Sequence, residues 1–122
     1  MIELLSAERC TRCNICIRVC PMDVFDLTAD GPPELARRDD CQTCFMCEVH
    51  CPAEAIYVAP IATPAPAGSP HLELERLISE KVIGSYRARL GWGAGAQPPR
   101  TTAEAYTLAG VDPPDAPPLP WP

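Results

Sequence analysis

The chain has 122 residues and a net charge of −6, and all eight of its cysteines lie between Cys10 and Cys51 while twelve of its sixteen prolines follow Ala59. Among residues 1–59, ten carboxylates face five arginines, which excludes the basic face that nucleic-acid binding requires. The start "MIELLSAERC" has neither a basic n-region nor an apolar run long enough for a signal peptide or a membrane span, so a cytoplasmic protein is expected, and in a reducing compartment dense cysteines are metal ligands more often than disulfides.

In chain order, Ile2 to Leu5 reads as a short apolar strand. "CTRCNICIRVCP" follows, with Cys10, Cys13, Cys16, Cys20 and Pro21 in the spacing C-x2-C-x2-C-x3-C-P. "VFDLTADGPPELA" reads as a hairpin with Asp30-Gly31 as its turn signal. The cysteine pattern then recurs without a gap in "CQTCFMCEVHCP", at Cys41, Cys44, Cys47, Cys51 and Pro52, and Ile56 to Val58 reads as a closing strand able to pair with the first. In each motif, three thiolates spaced three residues apart can curl round one corner of an iron-sulfur cube. The fourth, after a longer gap, points away, and the last cysteines of each motif should sit on a short helix. Zinc also uses C-x2-C pairs, but usually two of them well separated, and four cysteines in eleven residues closed by proline fit zinc poorly.

On these motifs, residues 1–59 resemble the bacterial-type dicluster ferredoxin family. The resemblance implies an α+β fold, a small ferredoxin-like βαββαβ unit with a pseudo-twofold axis. It also implies two 4Fe-4S clusters, one held by Cys10, Cys13, Cys16 and Cys51 and the other by Cys41, Cys44, Cys47 and Cys20, because in such proteins the fourth cysteine of each run serves the other cluster. A unit this small buries little apolar surface, so the clusters are expected to act as its core and the apo-protein to be largely unfolded. Arg12 and Arg18 bring positive charge to the first motif and Glu48 negative charge to the second, so the first cluster is expected to have the higher potential. Asn14 suits a left-handed conformation that aims backbone N–H groups at sulfur. Phe45 stands at the equivalent place, where many ferredoxins have glycine, and is expected to cap the small core, with shielding or partner contact as alternatives. His50 reads as a surface residue, since all four expected cysteines are present.

Beyond residue 59 the composition changes. "APIATPAPAGSP" is a Pro/Ala linker, and Ser69-Pro70 gives an N-cap followed by proline at the first helical position. Leu74, Leu77, Ile78, Val82, Tyr86 and Leu90 recur at helical spacing up to Gly91, which predicts one amphipathic helix over about 70–90. Its apolar stripe needs a cover. Another chain is the expected one, because so small a unit offers few apolar faces, and packing back on residues 1–59 is the alternative. The remainder is rich in glycine and proline and carries Trp92 and Trp121, which reads as an extended Pro-rich C-terminal arm anchored on a partner, with Thr102 a candidate cap for one helical turn.

Residues 60–122 therefore read as linker, helix and partner-wrapping arm. The whole chain resembles the small ferredoxin-like subunits of the fumarate reductase and adenylylsulfate reductase type of flavoprotein oxidoreductase. This implies an electron-transfer subunit in a heterodimer or higher oligomer, relaying single electrons between a larger flavoprotein subunit that carries FAD and an external one-electron carrier. The chain has no flavin or nicotinamide fingerprint and no nucleophile-base constellation, so no catalytic residue and no substrate chemistry are expected on it. A free-standing soluble ferredoxin and an interaction module with purely structural clusters are the alternatives.

Overall fold

The computed structural model describes residues 1–92. The expectations placed on the arm beyond Trp92, including Trp121 and the turn at Thr102, lie outside the described residues.

Strand β1 (Ile2–Leu5) pairs antiparallel with β4 (Ile56–Val58), so the chain returns to its start as the repeat requires. Between them lie helix α1 (Ile15–Val19), the hairpin strands β2 (Phe25–Asp26) and β3 (Glu34–Leu35), a 3-10 turn at Arg38–Asp40, and helix α2 (Met46–His50). This is the anticipated βαββαβ order. The hairpin forms as read, although Asp30-Gly31 lies inside a longer connection, where the Thr28 hydroxyl accepts the Gly31 N–H at 3.2 Å and donates to the Pro32 carbonyl at 3.0 Å.

The duplication extends from the cysteines to the backbone. Arg12 and Thr43, Asn14 and Phe45, and Asp23 and Glu54 form three pairs at the offset that separates Cys10 from Cys41, and all six residues have positive φ between 49° and 62°. Single left-handed residues are costly for anything but glycine and uncommon outside Asn and Asp. Their recurrence in register shows that each motif needs the same sharp turns, whatever side chain occupies them. Asn14 and Phe45 each stand directly before a helix in this conformation.

The pairing of β1 with β4 separates two apolar clusters. Side chains alternate along β4, so Ile56 and Val58 join Ile2, Phe25, Cys16, Cys47 and Cys51 on the cysteine side, while Tyr57 and Ala59 face the other way. A bulge at Glu3 shifts the register, which turns Ile2 and Leu5 to the cysteine side and Leu4 to the outer side. Glu3 itself is buried, accepting the Ala65 N–H at 2.9 Å and pairing with Arg38, and so anchors the Pro/Ala linker.

The segment after the linker corrects two expectations. The single helix over about 70–90 is instead a 3-10 turn (Pro70–Leu72), helix α3 (Leu74–Ser79) and helix α4 (Ser85–Arg89). Ser69 does cap the start, its hydroxyl accepting the His71 N–H at 3.3 Å. The helix stops because Lys81 takes φ 56°, so the Val82 N–H reaches the Leu77 carbonyl at 2.8 Å and the Lys81 N–H reaches that of Ile78 at 3.1 Å. This is a Schellman end, with Val82 and Leu77 in the same apolar cluster as its hydrophobic contact. Gly84, at φ 72°, then redirects the chain into α4, and a Cβ there would stand 2.7 Å from the Glu54 Cβ. The second correction concerns the stripe. Leu74, Leu77, Ile78, Val82 and Ile83 pack on Tyr57, Ala59, Leu4 and Ile61, so this chain covers most of its own apolar helix face. The break makes this possible, since one straight helix could not follow the sheet and then fold over α2. Leu90 and Trp92, at 41% and 49% exposed, remain outside that cluster. Among the described residues no helix is long and apolar enough to cross a membrane.

Candidate iron-sulfur centres

Each motif places three cysteines before or in the first turn of a short helix and the fourth at its C-terminal end. Cys16 and Cys47 lie in the first turns of α1 and α2 and are 8% exposed, Cys20 and Cys51 are the C-cap residues, and Cys13 and Cys44 on the preceding turns face solvent. Two recesses result. Cys10, Cys13, Cys16 and Cys51 line one. Cys20, Cys41, Cys44 and Cys47 line the other. One cysteine in each recess comes from the other motif. Among the described residues, no three Cys, His, Asp or Glu side chains converge as closely as a single ion requires. Four cysteines per recess, three of them spaced three residues apart in one motif, form the donor set of a 4Fe-4S cluster.

The donor chemistry around the sulfurs fits thiolate ligation. Burial pushes the Cys16 thiol up to about 11, with the neighbouring Cys51, Cys10 and Cys13 adding to it, and burial pushes the Cys47 thiol up as well. A sulfur in such surroundings ionises readily only when a bound cation compensates its charge. Backbone amides point at the sulfurs in matched pairs. Arg12 N–H approaches Cys10 Sγ at 3.4 Å as Thr43 N–H approaches Cys41 Sγ at 3.5 Å, and Val24 N–H approaches Cys20 Sγ at 3.5 Å as Ala55 N–H approaches Cys51 Sγ at 3.4 Å. The positive φ of Arg12 and Thr43 turns the first pair of amides inward. Left-handed Asn14 is half-buried beside its recess, but no N–H bond from it to sulfur is present, so the donor role expected there falls to Arg12.

The other residues singled out in the sequence fall in different places. Phe45 lines the recess of Cys41, Cys44 and Cys47 and packs on Tyr86 with ring centroids 4.5 Å apart and planes tilted by 35°, so it caps the core and is itself covered by α4. His50 lines neither recess. Its Nδ1 lies 2.9 Å from the Met46 carbonyl oxygen, and its ring meets Trp92 edge-on at 5.2 Å. Arg12 and Arg18 are exposed, and Arg12 donates to the Asp30 carbonyl at 3.1 Å.

Glu48 has a role that its sequence neighbours did not indicate. At 2% exposed, it accepts the Val58 N–H at 3.0 Å through one carboxylate oxygen and the Tyr86 N–H at 3.2 Å through the other, tying α2 to both β4 and α4. Desolvation raises its pKa, against the lowering effect of those two N–H groups and of Arg89. Ile17 holds the matching place in the first motif, and an apolar residue replaced by an acid in one copy of a repeat is the signal that could have drawn attention to it.

The sequence is similar to those of known ferredoxins. Residues 3–52 match the 4Fe-4S dicluster domain family. An uncharacterized ferredoxin of Methanocaldococcus jannaschii is 44% identical over 48 residues, which cover 39% of this chain and 76% of the relative. A ferredoxin of Methanothermococcus thermolithotrophicus is 41% identical over 46 residues, covering 38% of this chain and 75% of the relative. No solved structure matches the chain. With two cysteine-lined recesses, the dicluster domain matched over residues 3–52 and relatives matched over three quarters of their length, the chain belongs to the dicluster ferredoxins, a family of electron-transfer proteins.

Proposed function

We propose that this chain relays single electrons through two crossed 4Fe-4S sites, Cys10, Cys13, Cys16 and Cys51 holding one cluster and Cys41, Cys44, Cys47 and Cys20 the other. The observation that carries this reading is the partition of the eight cysteines into two recesses, each completed by a cysteine of the opposite motif. A 4Fe-4S cluster supplies a one-electron couple when bound. The protein's part is to keep Cys16, Cys47 and Cys51 dry, to aim amides at sulfur, and to leave Cys13 and Cys44 near the surface as the short route to a redox partner.

The partner we propose is a larger flavoprotein subunit carrying FAD, with an external one-electron carrier on the other side of the relay. Exposed Leu90 and Trp92, followed by thirty further residues rich in proline and glycine, support a permanent association at that end of the molecule. A free-standing ferredoxin is the second reading. The observation favouring it is the burial of Leu77 and Ile83 on this chain's own sheet, which removes the apolar helix face from the surface that a partner would have covered.

Purification of the full chain from its native host separates the two readings. Elution with a large yellow-brown protein whose flavin is reduced or oxidised through the clusters supports the subunit, and elution alone in a reversibly reducible form supports the free carrier. Clusters that do not reduce reversibly would contradict both.

A further inference from the structure

The matched pairs of amides around the sulfurs have one member without a mate. The Ile2 N–H approaches Cys41 Sγ at 3.3 Å, in addition to the Thr43 N–H on the same sulfur. Cys10, the pseudo-twofold mate of Cys41, has the Arg12 N–H alone. The repeat identifies what stands at the missing position. Counted back from Leu5 opposite Ile56 and from Leu35 opposite Phe25, with Glu3 as the bulge residue, Ile2 in the first half corresponds to Pro33 in the second. Accordingly, Ile2 opens β1 and lines the Cys41 recess, whereas Pro33 directly precedes β3, is buried, and lines the Cys10 recess. Proline has no N–H to donate. The second amide on Cys41 thus comes from a position whose counterpart beside the Cys10 recess is a residue unable to donate.

We propose that the Ile2 backbone N–H is a potential-raising donor to the cluster of Cys20, Cys41, Cys44 and Cys47, and that Pro33 withholds the equivalent donor from the cluster of Cys10, Cys13, Cys16 and Cys51. A hydrogen bond to a ligand sulfur favours the more negative, reduced form and so raises the potential. The charged side chains nearby do not supply this difference in the same way. Arg12 and Arg18 are exposed and screened by solvent, while the Glu48 carboxylate is already bonded to two amides. Each adds its own field to the potentials, but none changes when Pro33 is replaced by an uncharged residue. The proposal rests on the crossed 4Fe-4S reading above.

The test is Pro33→Ala in the full chain, loaded with iron and sulfide. Cysteine β-proton NMR at partial reduction, assigned residue by residue, reports which cluster holds the electron. Restoring an N–H should favour reduction of the Cys10-side cluster about tenfold relative to the other, which for a one-electron couple is about 59 mV. Ile2→Pro, at the first residue of a strand where proline is tolerated, should lower the Cys41-side potential by a similar factor. A shift in the expected direction in either variant upholds the proposal. Full cluster loading of both variants with no change in the distribution, or with a change of opposite sign, overturns it while leaving the ligand reading intact. Cysteine signals that group by motif rather than across motifs would overturn the ligand reading itself.

Discussion

The two halves of the ferredoxin unit share a backbone but differ in what they face. Around α1, Ile17 is half-buried against the cysteine cluster and Arg18 is exposed. Around α2, the matching residues Glu48 and Val49 are buried. Tyr86 packs on Phe45, the Tyr86 N–H bonds to Glu48, Arg87 donates to the Val49 carbonyl, and Trp92 meets His50. The duplicated part of the sequence thus sets the cysteine geometry, and a few diverged positions decide which half the extension covers. That asymmetry covers helix α2 with the extension and leaves Arg18 on α1 exposed.

The largest effect on this comparison should come from Leu77, the residue through which α3 is fixed to the outer face of the sheet. It is 4% exposed, so Leu77→Ala should lower the stability of the cluster-loaded protein by about 2–4 kcal/mol in denaturant melts. Leu90→Ala, at an exposed position four residues past Tyr86, should change it by less than about 0.5 kcal/mol. Equal effects would mean that the extension does not dock as described.

Glu48→Ala should come next. It leaves the Val58 and Tyr86 N–H groups without their acceptor, at a cost of about 2 kcal/mol, and amide exchange at Tyr86 should accelerate. Gly84→Ala should cost about 1–2 kcal/mol, because φ 72° is strained for any L side chain and the new Cβ meets Glu54. Both changes should loosen α4 over the second motif while leaving amide protection around α1 as it was.

The smallest expected effect lies on the hairpin. The Arg37 side chain holds the Asp26 carboxyl below its ordinary pKa, chiefly by a direct hydrogen bond. A carboxyl whose folded pKa is depressed contributes stability that is present above the ordinary carboxylate range and lost as pH falls through the folded value. Asp26→Asn should therefore flatten the acid side of the stability profile slightly and leave neutral pH nearly unchanged, since the pair is exposed and screened by solvent.

Much of the ferredoxin unit was legible because repetition is a strong signal. The cysteine spacing, the strands Ile2 to Leu5 and Ile56 to Val58, and the hairpin between the motifs all appear where the sequence indicated them. The extension was less legible for a physical reason. Helical periodicity says which face of a helix is apolar but not where the helix stops, and the Schellman end falls on Lys81, whose side chain gives no hint of a left-handed residue. A clue to the docking was nonetheless present in β4. Ile56, Tyr57, Val58 and Ala59 are apolar without alternation, as expected of a strand covered on both faces. Glu48 and Ile2 were harder to see, because their roles depend on backbone N–H groups brought close only by the fold.

The central claim, that each cluster site borrows a cysteine from the opposite motif, is tested most directly by Cys20→Ser. Cys20 belongs to the first motif in sequence but lines the recess of Cys41, Cys44 and Cys47. Iron analysis with EPR and assigned cysteine NMR signals should show that cluster lost or altered and the cluster of Cys10, Cys13, Cys16 and Cys51 retained. Damage confined to the cluster of Cys10, Cys13 and Cys16 would contradict the account.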